Sequence, residues 1–161
     1  MPTGGGSSGS QLLNVRATLT DAQIKALPTT PIQIVTAPGA GKLIVPTMWM
    51  IQKSFVGAYT NVTVSAQTGL FCTYDGNDNG THTAVAVTEA GYAFFGAVSL
   101  EQYPIPPGTH DDGNGGNFPP GGTDLRNLGL FVQAINADGP FTGGDAANLL
   151  TVDMLYYVLT L

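Results

Sequence analysis

The chain predicts an all-β fold: a β-sandwich of jelly-roll type with one short N-terminal helix and a flexible N-terminal arm. Three observations predict it. About eight or nine segments alternate or run apolar at strand length, with Gly, Asn and Pro between them. A single segment carries helix signals at both ends. The 161 residues suit one domain whose core needs neither disulfide nor metal. The arm is 1–10 and the sandwich domain 11–161.

The arm, MPTGGGSSGS, is flexible by its Gly/Ser content. Residues 11–19 then alternate, with Leu13, Val15, Ala17 and Leu19 on one face. A helix follows. Thr20 and Gln23 form a capping-box pattern, Asp21 suits the first-turn dipole, and Pro28 stops the helix after about two turns. Ile24 and Leu27 share the face that pins it to the sheet.

The remainder reads as strands. Residues 32–36 follow Pro31, and 42–56 form a long strand in which Pro46 requires an edge or a bend. Residues 59–67 alternate through Val62 and Val64. Residues 70–74 follow the turn at Thr68 and Gly69, and 83–88 alternate again. Residues 92–100 are apolar and aromatic, with Gly96 at a bulge. Residues 128–135 and 149–161 close the fold. The last segment is apolar on both faces apart from Asp153, so its outer side is expected to be covered by another subunit. Residues 104–124 form a loop of 21 residues with five prolines and six glycines, which either projects towards a neighbour or is disordered.

Only 10% of residues are charged, against about 25% in ordinary soluble domains. Such a surface loses little hydration energy when another subunit covers it, because few full charges leave water. Net charge is −6, and the five basic residues lie singly between Arg16 and Arg126. That argues against a nucleic-acid partner. The longest nearly apolar stretch, 43–51, contains Pro46 and Thr47 and is too short to span a membrane. The arm has neither the basic nor the apolar region of a signal peptide.

Candidate chemistry is sparse, and no catalytic, cofactor-binding or metal residues are expected. APGAGKLIVP, residues 37–46, resembles a phosphate-binding loop, but Thr36 stands where the first Gly belongs and Leu43 where the metal-binding hydroxyl belongs. It reads as a tight turn at Pro38 and Gly39 that feeds a buried strand, with Lys42 keeping its ammonium in water. Asp75 to Gly80, DGNDNG, matches the start of a calcium loop, yet Ala86 replaces the closing acid. His110, Asp111 and Asp112 have only His82 as a further imidazole and read as a solvated loop. Glu89 and Glu101 do not have the spacing of a general acid and base. Asn61 and Asn79 begin glycosylation sequons that need a secretory route. Cys72 and Trp49 read as core residues.

Two segments carry a resemblance. In residues 15–46 they are Leu19, Thr20, Ala22 and Gln23, then Thr30 and Pro31, then Ala37 to Lys42. In 141–159 they are Gly143, Gly144 and Asp145, followed by Tyr156 or Tyr157. This pairing resembles small structural proteins of tailed bacteriophages. The resemblance covers about a third of the chain, at its two ends. It implies a non-enzymatic β-sandwich in the virion, a homotrimer assembled in the bacterial cytoplasm. The expected role is a capsid decoration (cement) protein bound to the major capsid protein. A tail-fibre or tail-tip component that recognises the host surface is the alternative. A sugar-cleaving enzyme would need a carboxylate pair that no sequence feature supplies.

Overall fold

A computed structural model describes residues 11–63, 69–74, 83–87, 91–105 and 124–161. In chain order its elements are β1 (Leu13–Thr20), α1 (Asp21–Ala26), β2 (Ile32–Val35), β3 (Lys42–Phe55), β4 (Tyr59–Thr60), β5 (Gly69–Tyr74), β6 (Thr83–Val87), α2 (Gly91–Gly96), β7 (Ser99–Ile105), β8 (Leu130–Ile135), β9 (Thr142–Gly143) and β10 (Leu149–Thr160). Two four-stranded sheets form among the described residues, one in the order β1-β10-β3-β7 and the other β2-β8-β5-β6. Every pairing in them is antiparallel. A short ribbon joins β4 to β9. Of the seven steps between the eight sheet strands, six change sheet and only β5 to β6 stays within one.

The sheets stack as a sandwich because both turn apolar residues to one core. Leu19, Ile51 and Val152 from the first sheet meet Leu70, Val132 and Ala134 from the second. The Tyr74 hydroxyl donates to the Ile44 carbonyl at 2.8 Å and ties one sheet to the other. One end is filled by aromatic rings. Phe95 lies 4.3 Å from Phe141 and 4.8 Å from Phe94 between ring centroids, and Phe55 meets Tyr59 edge-on at 5.1 Å. The Lys53 ammonium, fully buried, lies 5.1 Å from the ring centres of both Phe55 and Phe94.

β1 alternates as predicted, its odd residues turned inward and its even ones exposed. In α1 the Gln23 side chain accepts from the Thr20 backbone N–H at 3.0 Å, and Ile24 and Leu27 are buried. Pro46 falls at a bend, one of the two exemptions expected for it. The pairing of β3 with β10 shifts by one residue at this point, Tyr156 opposing Pro46 and Leu155 opposing Met48. The skipped Thr47 donates its hydroxyl to the Leu155 carbonyl at 3.0 Å. Among the described residues β7 joins β3 only from Trp49 onward, and none of them pairs with Pro46 on its other side.

Four expectations are corrected. The strand expected over 59–67 is only Tyr59–Thr60 among the described residues, because Asn61 takes a left-handed φ of 59°. The strand expected over 92–100 is instead α2, with β7 beginning at Ser99. Phe94 and Phe95 are both buried and join one ring cluster, Phe94 against Phe55 and Phe95 against Tyr59, whereas neighbours in a strand face opposite ways. The helix expected at the N-terminus therefore has a short companion. Pro104 and Ile105, expected to open the long loop, instead end β7, an edge strand among the described residues, and 106–123 lie outside the described residues. β9, with glycine at Gly143 and positive φ there, carried no strand signal.

Candidate functional site

The phosphate-loop mimic is a corner. Gly39 and Gly41 have φ of 98° and 69°, and the Lys42 N–H closes the turn on the Gly39 carbonyl at 3.2 Å. The Gly39 N–H donates to Asn127 Oδ1 at 2.9 Å, the Asn127 N–H to the Lys42 carbonyl at 2.7 Å, and the Leu161 N–H to the Gly41 carbonyl at 2.9 Å. A phosphate cradle needs free backbone N–H groups converging on one point. Here those of Gly39 and Lys42 are engaged within the protein. Lys42 is exposed and Leu43 starts β3, as the turn reading requires.

The second place of interest joins the two ends of the chain. Gly144 has a φ of 72°, and a Cβ there would lie 2.5 Å from Tyr59 Cε1 and 2.6 Å from Asp21 Oδ1. Only glycine lets the Gly143–Gly144–Asp145 turn settle on helix α1. Lys25 Nζ donates to the other Asp21 oxygen at 2.7 Å. Asn148, fully buried, accepts from the N–H groups of Val56 at 2.7 Å and Gly57 at 3.0 Å and donates to the Gly57 carbonyl at 2.7 Å. Asp21 Oδ1 and the Tyr59 hydroxyl are buried, and neither has a hydrogen-bonding partner among the described residues. Burial pushes the Tyr59 hydroxyl well above the ordinary tyrosine range, and the Asp21 carboxylate adds to the effect. A phenol held protonated is no base or nucleophile at neutral pH.

The other sequence candidates do not gather. Cys72 is fully buried in β5, and burial pushes its thiol far up, which opposes thiolate chemistry. Trp49 is fully buried and offers no platform to a sugar. The Asn61 amide donates to the carbonyls of Asp138 and Pro140, both at 3.0 Å. Glu101 lies in β7, opposite Lys53 in the pairing with β3. Asp75 to Gly80, His82, Glu89, His110, Asp111 and Asp112 lie outside the described residues. Among the described residues no group of three or more His, Cys, Asp or Glu side chains could hold a metal, and no helix is long and apolar enough to cross a membrane.

What sequence reasoning missed is a hollow on the face that it expected another subunit to cover. The outer face of the first sheet carries a hollow of about 250 Å³, lined by Met48, Met50, Leu155 and the Arg16–Asp153 pair. Arg16 grips Asp153 with two hydrogen bonds, of 2.6 and 2.9 Å. The alternation of β1 put Arg16 outward, but its partner needed the β1–β10 register. No protein-family model matches the chain, and no curated protein matches it.

Proposed function

We propose that this chain is a non-enzymatic structural protein of a tailed-phage virion, a capsid decoration protein that binds the major capsid protein as a homotrimer and stabilises the head. The observation that carries the reading is the spatial union of the two segments with phage resemblance. The Leu-Thr-x-Ala-Gln helix packs under the Gly-Gly-Asp turn through Asp21 and Gly144. β1 pairs along β10, and the Gly41 corner is tied to Leu161. The resemblance thus falls on one connected frame. The alternation of strands between two four-stranded sheets also fits the jelly-roll reading. Sparse charge suits a subunit that lives among others.

The test is location and copy number. Purified virions should contain this chain in amounts comparable to the major capsid protein on a stained gel, and purified protein should bind heads stripped of it and raise their heat resistance. A handful of copies per particle, with blockage of phage adsorption to cells, would instead make it a tail component. Glycan release from host polysaccharide that is lost in Glu89→Ala or Glu101→Ala would overturn both.

A further inference from the structure

We infer that Met48 and Met50 are a redox-modification site, whose thioethers hydroperoxides convert to sulfoxides while Met154, in the neighbouring strand, stays reduced. Placement is the first support. Met48 and Met50 are two residues apart on β3 and leave the same face, whereas Trp49 between them is fully buried. Both line the hollow, and Met48 is 37% exposed. Access is the second. The hollow holds about 250 Å³, and a water occupies about 30 Å³ of liquid, so a peroxide enters with its hydration. Contrast is the third. Met154 also borders the hollow, yet it is only 1% exposed and belongs to the core cluster. It stands between Asp153 and Leu155 on β10, and neighbours in a strand face opposite ways. The Cys72 thiol is fully buried too. Among the described residues the sulfur atoms thus divide into a reachable pair on one face and a sealed remainder within the sandwich.

The step is a two-electron oxygen transfer. The thioether sulfur attacks one peroxide oxygen, the O–O bond breaks and an S–O bond forms. The proton on the transferred oxygen passes through solvent to the leaving hydroxide, so sulfur is oxidised and the peroxide is reduced to water. The product is polar and accepts hydrogen bonds. It forms in the hollow that Arg16 also lines, and Asp153 engages only part of the guanidinium donor fork, through Nε and Nη2. The sulfoxide oxygens therefore meet water and N–H donors rather than the core, and the fold survives the change. What is lost is the apolar wall, since the face becomes more polar at constant charge. Its polarity then follows the peroxide level, and sulfoxide reduction restores it. None of this chemistry requires a place in a virion.

The test treats the purified full chain with hydrogen peroxide at neutral pH and maps its peptides by mass. Met48 and Met50 should each gain one oxygen. Met154 should react at least about a hundredfold more slowly, because it is reached only when the sandwich opens. In urea all three should react alike. Retention on a hydrophobic-interaction column should shorten after peroxide in the wild type but not in Met48→Leu/Met50→Leu, with the urea midpoint unchanged in both. Methionine sulfoxide reductases should restore the wild-type retention. Native Met154 oxidised as fast as Met48, or Met48 and Met50 left unmodified, would overturn the inference. So would a wild type whose retention ignores oxidation, or a double variant that loses retention as the wild type does.

Discussion

Two glycines with the same backbone habit separate conformational strain from crowding. Gly39 has a φ of 98° and nothing within 4 Å of an added Cβ, so Gly39→Ala should cost only the left-handed penalty, about 1–2 kcal/mol. Gly144 has the same penalty, and its Cβ would also enter the Tyr59 ring and the Asp21 carboxylate. Gly144→Ala should therefore cost about 2–5 kcal/mol. Lys42→Ala, at the exposed end of the corner, should stay within about 0.5 kcal/mol of wild type. Urea midpoints of the three variants check the order, and equal losses at the two glycines would show that the Gly144 turn moves aside freely. A separate residue-scale effect belongs to pH. Hydrogen bonds from the Arg126 side chain and backbone hold Asp124 at about 2, below its ordinary 3.8. Its folded pKa lies below the unfolded one, so its contribution is present above the ordinary value and is lost as pH falls through about 2. An NMR titration should find the Asp124 midpoint raised towards the ordinary range in Arg126→Ala.

At the scale of elements, Asn148 holds the exit of β3 against the entry of β10. Its amide satisfies two N–H groups and one carbonyl of the Val56–Gly57 turn, so Asn148→Ala strands three polar groups at once. The expected loss is about 2–4 kcal/mol, with faster amide exchange confined at first to that turn. Asn148→Asp should recover part of it, since a carboxylate still accepts from both N–H groups. Much of the element pattern was legible in the sequence. β1 and β10 announced themselves by alternation and length, α1 by Thr20, Gln23 and Pro28, and the corner by Pro38, Gly39 and Gly41. Elements determined by distant partners were not legible. Asn61 breaks its strand to donate to the carbonyls of Asp138 and Pro140, and no local pattern encodes those partners. Helix α2 has an aromatic composition that suits a strand equally well, and only the space at the end of the sandwich chooses. The hollow was hidden for the same reason, because Arg16, Met48 and Leu155 come together only through register.

For the whole molecule, the division between a dry interior and a nearly uncharged exterior makes Cys72 a reporter of global opening. The thiol lies in β5, which pairs with β8 on one side and β6 on the other, and all six β5 residues are buried. Tyr74, two residues on, anchors the same strand across the core to Ile44. No local fraying of an edge exposes such a position, so a thiol reagent should reach Cys72 only when the sandwich opens. Labelling should therefore accelerate about tenfold for each 1.4 kcal/mol of destabilisation, provided closing outruns reaction. Gly144→Ala and Asn148→Ala, both distant in sequence from β5, should follow that line, whereas Lys42→Ala should label as wild type does. Tyr74→Phe sharpens the comparison. It removes one cross-sheet hydrogen bond worth about 1 kcal/mol, and it should fall on the same line if the two sheets separate only in global unfolding. A Tyr74→Phe variant that labels much faster than its urea midpoint allows would mean that the second sheet opens by itself, and that the two sheets are not one cooperative unit.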